Sequence, residues 1–484
     1  MEISQLNGST ASTIEHDSKT VPQHPLGLKP AGNAYAAGQN IKVKAGRLAT
    51  LPDEVVVQIL EHLDEIALQS IGRTCRALYA FSRLEDLWKT LFVKSSPSQF
   101  TWQGTWYSTY FALVKSRRSQ SNPISCNGLF SDLLYRPFQC AHTSLLPFTR
   151  NIPAKNSIPR LSDLSLSEFS HHWTDKPFIL TSPVRAWPVY QKWSTETLLR
   201  EYGDIVFRAE AVDWPLRAYI DYMNDNTDES PLYLFDRSFI ETMNLKIGKN
   251  GHYWAPECFG EDLFASLDED RPDSRWLIMG PERSGSTFHK DPNATSAWNA
   301  VLKGSKYWIM FPTSPSQPPP PGVFVSEDQS EVTSPLSIAE WLIEFHAEAR
   351  RTDGCMEGIC PEGEVLHVPS GWWHLVVNLE PSIAITQNFV PRAHLASVLD
   401  FLKNKSDQVS GFKNDIKDPY ELFVQRMENL YPNLLHSALT DLEKASTGKK
   451  RKWEELVNGS NDHDCTEPAG FGFAFFDKDD GDIP

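Results

Sequence analysis

Residues 289–311 read HKDPNATSAWNAVLKGSKYWIMF. The stretch opens with a histidine and an aspartate one residue apart and closes in an apolar, strand-like run headed by a single lysine, Lys306. Two readings compete for it. It is either a metal and cofactor site or a surface turn leading into a core strand, and the choice decides what the rest of the chain is for.

A metal centre with two histidines and one carboxylate on one face of the ion leaves the opposite positions open, the arrangement used by ferrous oxygenases. A His-x-Asp triplet alone is weak evidence, because 14 histidines give about one such triplet by accident at ordinary composition. This chain has His62/Asp64 and His289/Asp291, together with His346/Glu348. In a helix, residues i and i+2 point about 200° apart, whereas in an extended segment they share a face. The spacing predicts helices around His62 and His346 and an extended or turn conformation in GSTFHKDPN, so only His289 and Asp291 are placed to chelate. A third ligand must come from another strand. GWWHLVVN offers His374, on one face with Val376 and Asn378, and VLHVP offers His367 as its rival. A lysine drawn toward a core is costly unless its charge is paired. Lys306 either has an anionic partner or reaches to water from a strand end.

The surrounding chain is consistent with a packed soluble protein. It has 484 residues, enough for two or three folded units, and no apolar run approaches the roughly 20 residues needed to cross a bilayer. The N-terminus lacks a charged-then-apolar leader pattern, which predicts an intracellular protein. Seven cysteines without a C-x-x-C pair argue against a disulfide framework or zinc finger, and the nearest pair, Cys355 and Cys360, reads as two reduced thiols in or near a loop. The net charge of −16 disfavours nucleic acid as a non-specific ligand and suits a basic polypeptide.

Residues 1–47 are Ser-, Thr-, Gly- and Asn-rich without period and read as a disordered lead-in. In TLPDEVVVQILEHL, Thr50 is the expected N-cap, with Val55, Ile59, Leu60 and Leu63 at helical spacing. IALQSIGRTCRALYAFS and LEDLWKTLF continue as two further helices, so residues 48–94 predict a small helical bundle. Residues 95–160 read as a connecting segment. From about 161 to 400 the texture turns to short apolar runs bounded by Pro, Gly, Ser and Asp, which predicts a β-sandwich or barrel, with a Pro/Ser-rich loop between Pro312 and Pro335. Helical character returns at SIAEWLIEFHAEARR and through 401–453, with PYELFVQRMENLYPNLLHSAL as its clearest stretch. The tail, 454–484, is acidic.

Three separated segments, SPLYLFD (230–236), RWLIMGPERSGSTFHKDPNATSAWNAVLKGSKYWIMFPTS (275–314) and GEVLHVPSGWWHLVVNLEPSIAITQNF (363–389), strongly resemble the Jumonji-C oxygenases, in the branch described as phosphatidylserine receptor and then as lysyl hydroxylase and arginine demethylase. The resemblance implies a mainly β double-stranded β-helix (jelly roll, cupin-like) with flanking helices. It implies Fe(II) held by His289, Asp291 and His374, with 2-oxoglutarate chelating the metal and meeting Lys306 and Thr386 at its far carboxylate. Asn299, Tyr233 and Ser286 match positions lining that pocket, and Asn388 shares the face of Thr386 if the strand is regular. O2 completes the cofactor set. The activity implied is hydroxylation of lysine or arginine side chains of a protein substrate, or demethylation through hydroxylation of an N-methyl group.

Leu51-Pro52, the Val55/Ile59/Leu63 spacing, Cys75-Arg76 and Leu87-Trp88-Lys89 likewise look like an F-box, a small all-α bundle that docks on the linker subunit of cullin ubiquitin ligases. That admits an alternative function, a substrate-recruiting adaptor that uses the jelly roll only to grip a client; a structural barrel holding another divalent metal is a third. The KKRK run at 449–452 suits nuclear import, so the expected location is nuclear, cytoplasmic or both.

Overall fold

The computed structural model describes residues 21–444 apart from 38, 98, 116–122, 315, 316, 328 and 336. The acidic tail, the basic run at 449–452 and Cys465 lie outside the described residues, as do residues 1–20.

The expected disordered lead-in is corrected for its second half. Leu28 is buried, Lys29 bridges to Phe130, the Ile41 N–H donates to Gly128 O at 2.9 Å, and Lys42 pairs with Asp53. Such pairings join residues far apart in the chain, so local composition carries no sign of them. The bundle has four helices, Asp53–Glu61, Glu65–Gly72, Arg76–Phe81 and Glu85–Ser95. Pro52, not Thr50, occupies the first N-cap, and the Thr50 hydroxyl instead donates to Arg47 O at 3.0 Å. The buried stripe is Val56, Val57 and Leu60, while Ile59 is exposed. The single helix expected over 66–82 breaks at Arg73–Cys75, where the Thr74 hydroxyl takes the Ile71 carbonyl and Cys75 is extended. That break and the link at His62–Asp64 place His62 at a helix end and Asp64 as the next N-cap, so this pair is not within one helix.

Residues 95–160 do more than connect. They form the helices Trp106–Lys115 and Asp132–His142, and Trp102 and Trp106 are buried against Trp214 and Tyr222.

Strands are numbered in chain order: β1 (Arg160–Leu161), β2 (Phe178–Leu180), β3 (Val206–Ala209), β4 (Val212–Pro215), β5 (Leu234–Asp236), β6 (Arg275–Gly280), β7 (Gly285–His289) and β8 (Ser296–Lys303). They continue as β9 (Ser305–Phe311), β10 (Phe324–Val325), β11 (Val332–Thr333), β12 (Met356–Pro361), β13 (Val365–Val368), β14 (Trp373–Asn378) and β15 (Ser382–Phe389). Two sheets of a double-stranded β-helix face each other. The larger has the order β1-β2-β13-β8-β15-β6-β5-β3-β4 and the smaller β12-β9-β14-β7; all pairings in them are antiparallel except β1 with β2. The Pro/Ser-rich insertion holds the small β10–β11 hairpin.

Alternation sorts these strands into two faces. Even-numbered residues of β9 and β14 point between the sheets, and Trp308, Met310 and Val376 meet Ala297, Val301, Leu366 and Val368 of the larger sheet there. Odd-numbered residues of the same strands, such as Tyr307, Ile309 and Leu375, pack outward on Trp341 and Leu342 of the helix Ile338–Ala349. The outer face of the larger sheet, including Leu277, Trp298, Ala300 and Ile385, belongs to one core cluster with Leu60, Phe92 and Trp106 of the N-terminal helices. The C-terminal stretch divides at Tyr431–Pro432 into the helix Pro419–Leu430 and a second over 432–444, because proline has no N–H to continue a helix but opens one readily. Among the described residues no helix is long and apolar enough to cross a membrane.

Candidate metal centre

β7 and β14 lie side by side with His289 and His374 as direct partners, and their ring centroids are 4.1 Å apart. The register then shifts, so that Ser286 faces Val376 and Gly285 faces Val377. The bulge depends on Gly285, whose Cβ would stand 2.0 Å from Val376 O. Asp291 follows the strand by two residues, in extended backbone before Pro292. One ligand atom from each of His289, Asp291 and His374 lies within 4.8 Å of the others, which makes this the one cluster of three metal-ligating side chains among the described residues.

The donor chemistry fits a divalent cation. His289 Nδ1 lies 2.8 Å from Thr287 O and His374 Nδ1 lies 3.1 Å from Trp372 O. Each ring donates its Nδ1 proton to the carbonyl two residues upstream, leaving the Nε2 lone pair free, as a metal-bound imidazole requires. Burial holds His374 well below the usual histidine range, with the His289 charge adding to the effect. Asp291 Oδ2 is buried without a hydrogen-bond partner. Burial pushes its carboxyl up to about 6 against the opposing pull of His289 and an Asn388 hydrogen bond. A carboxylate with one buried oxygen free of hydrogen bonds, beside two imidazole lone pairs, is a donor set suited to a cation.

Deeper between the sheets, Lys306 is fully buried, and its ammonium donates to Tyr233 OH at 2.6 Å and Asn378 Oδ1 at 2.7 Å. Among the described residues no carboxylate pairs with it, and burial pushes its pKa down to about 7. Tyr233 accepts from the lysine and therefore keeps its own hydroxyl proton to donate. Gly280 makes room for it, since a Cβ there would approach the Tyr233 ring at 2.7 Å. Thr386 and Asn299 are cross-strand partners on the same inner face; the Thr386 hydroxyl donates to Trp298 O at 2.9 Å, and Asn299 Oδ1 is buried without a partner. Asn388 Nδ2 donates to Thr295 Oγ1 at 2.8 Å. Ser286 lies at the mouth, lining two clefts, one of about 370 Å³ reaching His289 and one of about 430 Å³ reaching Tyr233.

Parity removes the rival histidine. His367 is odd-numbered on β13 and faces away from the cavity, among Phe169, Phe178 and Phe259, with Nε2 3.2 Å from Thr174 O. His346 is held by Tyr307 OH at 2.9 Å, in a buried group with Glu357. Cys360 is a buried free thiol within β12 rather than in a loop, and Cys355 is buried just before that strand. Sequence reasoning missed two residues that the geometry places in the pocket. Asn378 was legible as a face-mate of His374, but its link to Lys306 required the β9–β14 register. Trp308, whose buried Nε1 has no partner, sits with its ring 6.1 Å from that of His374.

Residues 167–394 match the family of cupin-like domains, and residues 48–94 match the F-box-like family. The chain is 36% identical over 449 residues to the arginine-specific demethylase JMJ22 of Arabidopsis thaliana, covering 90% of this chain and 87% of the relative. It is 31% identical over 467 residues to the lysine-specific demethylase JMJ21 of the same plant, covering 90% of this chain and 48% of that relative. Over 265 residues it is 35% identical to the bifunctional arginine demethylase and lysyl-hydroxylase psr-1 of Caenorhabditis elegans, covering 50% of this chain and 64% of the relative.

Proposed function

This chain belongs to the cupin-like Jumonji-C family of Fe(II)- and 2-oxoglutarate-dependent oxygenases that act on protein side chains, and from that premise we propose that His289, Asp291 and His374 hold the iron while Lys306 and Thr386, with Tyr233 beside the lysine, meet the far carboxylate of 2-oxoglutarate. When bound, the iron and 2-oxoglutarate supply O2 activation coupled to oxidative decarboxylation, which delivers one oxygen atom to a substrate C–H bond. The chain's own residues do the placing. The Thr287 and Trp372 carbonyls fix the two imidazole planes. The Lys306 ammonium gives a dicarboxylate its one direction of entry. Val376, Leu366 and Val368 keep water out of the space between the sheets.

The observation that carries this reading is the buried Lys306 charge without a carboxylate, facing the same interior as the clustered side chains of His289, Asp291 and His374. For the substrate we propose lysine or arginine side chains of a basic polypeptide. An N-methyl group hydroxylated on carbon loses formaldehyde, whereas a hydroxylated side-chain carbon keeps its oxygen. Anaerobic addition of Fe(II) and 2-oxoglutarate is expected to give the visible charge-transfer band of a chelated complex, lost in His374→Ala; a wild-type protein without the band is not this enzyme. Mass spectra of basic peptides after turnover then separate a gain of one oxygen from loss of a methyl group.

Residues 48–94 form an F-box-like module, a unit that binds other proteins. We propose the linker subunit of a cullin ubiquitin ligase as its partner, supported by Ile59 and Ile66, which stand 39% and 68% exposed on the bundle. A nuclear or cytoplasmic location follows from the same proposal.

A further inference from the structure

The clefts before His289 and Tyr233 share three residues, Gly285, Ser286 and Glu210. Glu210 is the one carboxylate in either lining, and it stands at the two-residue turn between β3 and β4. Its φ is 48°, the left-handed region that hairpin turns normally fill with glycine or asparagine. A glutamate kept in that conformation costs stability, and such outliers cluster where a side chain has a task. One of its oxygens accepts the Tyr233 N–H at 3.0 Å, tying the turn to the residue that meets Lys306. Among the described residues no lysine, arginine or histidine nitrogen lies within 4 Å of it.

The neighbouring charges do not cancel it. Arg283 lines the cleft that reaches His289, but its guanidinium donates to Asp228 O at 3.3 Å and also faces the charges of Glu282 and Asp228. Arg208, in the other lining, is paired with Asp213 at 2.9 Å. Lys89 acts on Glu210 and Asp228 together, from the last helix of the F-box-like bundle.

Resting on the oxygenase reading, we propose that Glu210 is the specificity-determining residue that takes the cationic head group of the substrate's lysine or arginine side chain at the mouth leading to His289. It acts by binding the charge, and it takes no part in the oxygen chemistry.

The test uses the full chain, anaerobic, with Fe(II) and 2-oxoglutarate, and fluorescein-labelled twelve-residue Gly/Ser peptides carrying one central arginine, lysine, citrulline or norleucine. Anisotropy is expected to show the cationic peptides binding about tenfold more tightly than their neutral counterparts, the scale of one charge-assisted hydrogen bond. Glu210→Gln keeps the Tyr233 N–H acceptor and should erase that preference, and Glu210→Lys should turn it toward a peptide with central glutamate. Glu210→Gly, which relieves the backbone, serves as the second neutral variant and should also erase it. A wild-type protein without charge preference, or a preference intact in both neutral variants, overturns the proposal. Presence of the charge-transfer band in the same samples separates that result from failure of the oxygenase reading.

Discussion

At the residue scale, the chemistry concentrates on Lys306. Burial holds its pKa near 7, below the ordinary lysine range of about 10.4. Between these values the folded chain binds fewer protons than the unfolded one. The stability penalty from this residue is therefore present in full below about pH 7 and fades as pH rises toward the ordinary lysine range. A bound dicarboxylate raises the value again, so 2-oxoglutarate should bind with uptake of up to one proton above pH 7. Calorimetric titration at pH 8 in buffers of different ionisation enthalpy measures this uptake, and its absence would refute the anchoring role. Lys306→Met should abolish the uptake and weaken 2-oxoglutarate by about 100-fold or more, on the scale of a buried charge pair losing one partner. A second group of residues shows why geometry must precede a functional label. Ser296, His394 and Asp175 form a hydrogen-bonded chain of 3.0 and 2.8 Å. Yet Ser296 is fully buried and Asp175 largely exposed, the reverse of what an accessible nucleophile needs.

At the element scale, strand parity and two close approaches create the pocket. β9 and β14 pair Lys306 with Asn378 and Met310 with His374, so Lys306 and His374, the proposed anchor and metal ligand, share one face by alternation alone. β6 must end in a glycine for Tyr233 to lie across it. Gly280→Ala adds about 1–3 kcal/mol of overpacking strain against the Ser284 hydroxyl and the Tyr233 ring. We expect its affinity for 2-oxoglutarate to fall about tenfold while Fe(II) binding is retained, as measured by titrating each component. Equal loss of both would mean that the substitution distorts β7 and β14 rather than the Tyr233 position. Some strands were hidden in the sequence. β3 and β4 are short, these two and β12 all carry charge or proline, and their strand character comes from their partners.

At the scale of the whole molecule, the F-box-like bundle and the jelly roll are built around one apolar core. Phe92 of the bundle is fully buried against Phe100 and Trp106, and its ring lies 5.8 Å from that of Trp214 in β4. Phe92→Ala should cost about 3–5 kcal/mol. Scanning calorimetry is expected to show one transition moving down as a unit. Two transitions, with only the smaller one shifted, would mean that the modules fold separately. A rigid junction also has a functional consequence, because a protein docked on the bundle would hold a fixed bearing toward the clefts at Ser286.

The alternation of apolar and polar residues determined by itself that His374 shares a face with Asn378, and the extended setting of His289-Lys290-Asp291 marked it as the pair able to chelate. Family likeness named the remaining pocket positions. Only the tertiary structure turned His367 away from the cavity and set His374 beside His289, joined Lys306 to Tyr233, put Glu210 at the mouth and fused the bundle to the sheet. Periodicity operates over neighbouring residues, whereas these outcomes depend on register between strands tens of residues apart, which is settled by packing the two sheets together.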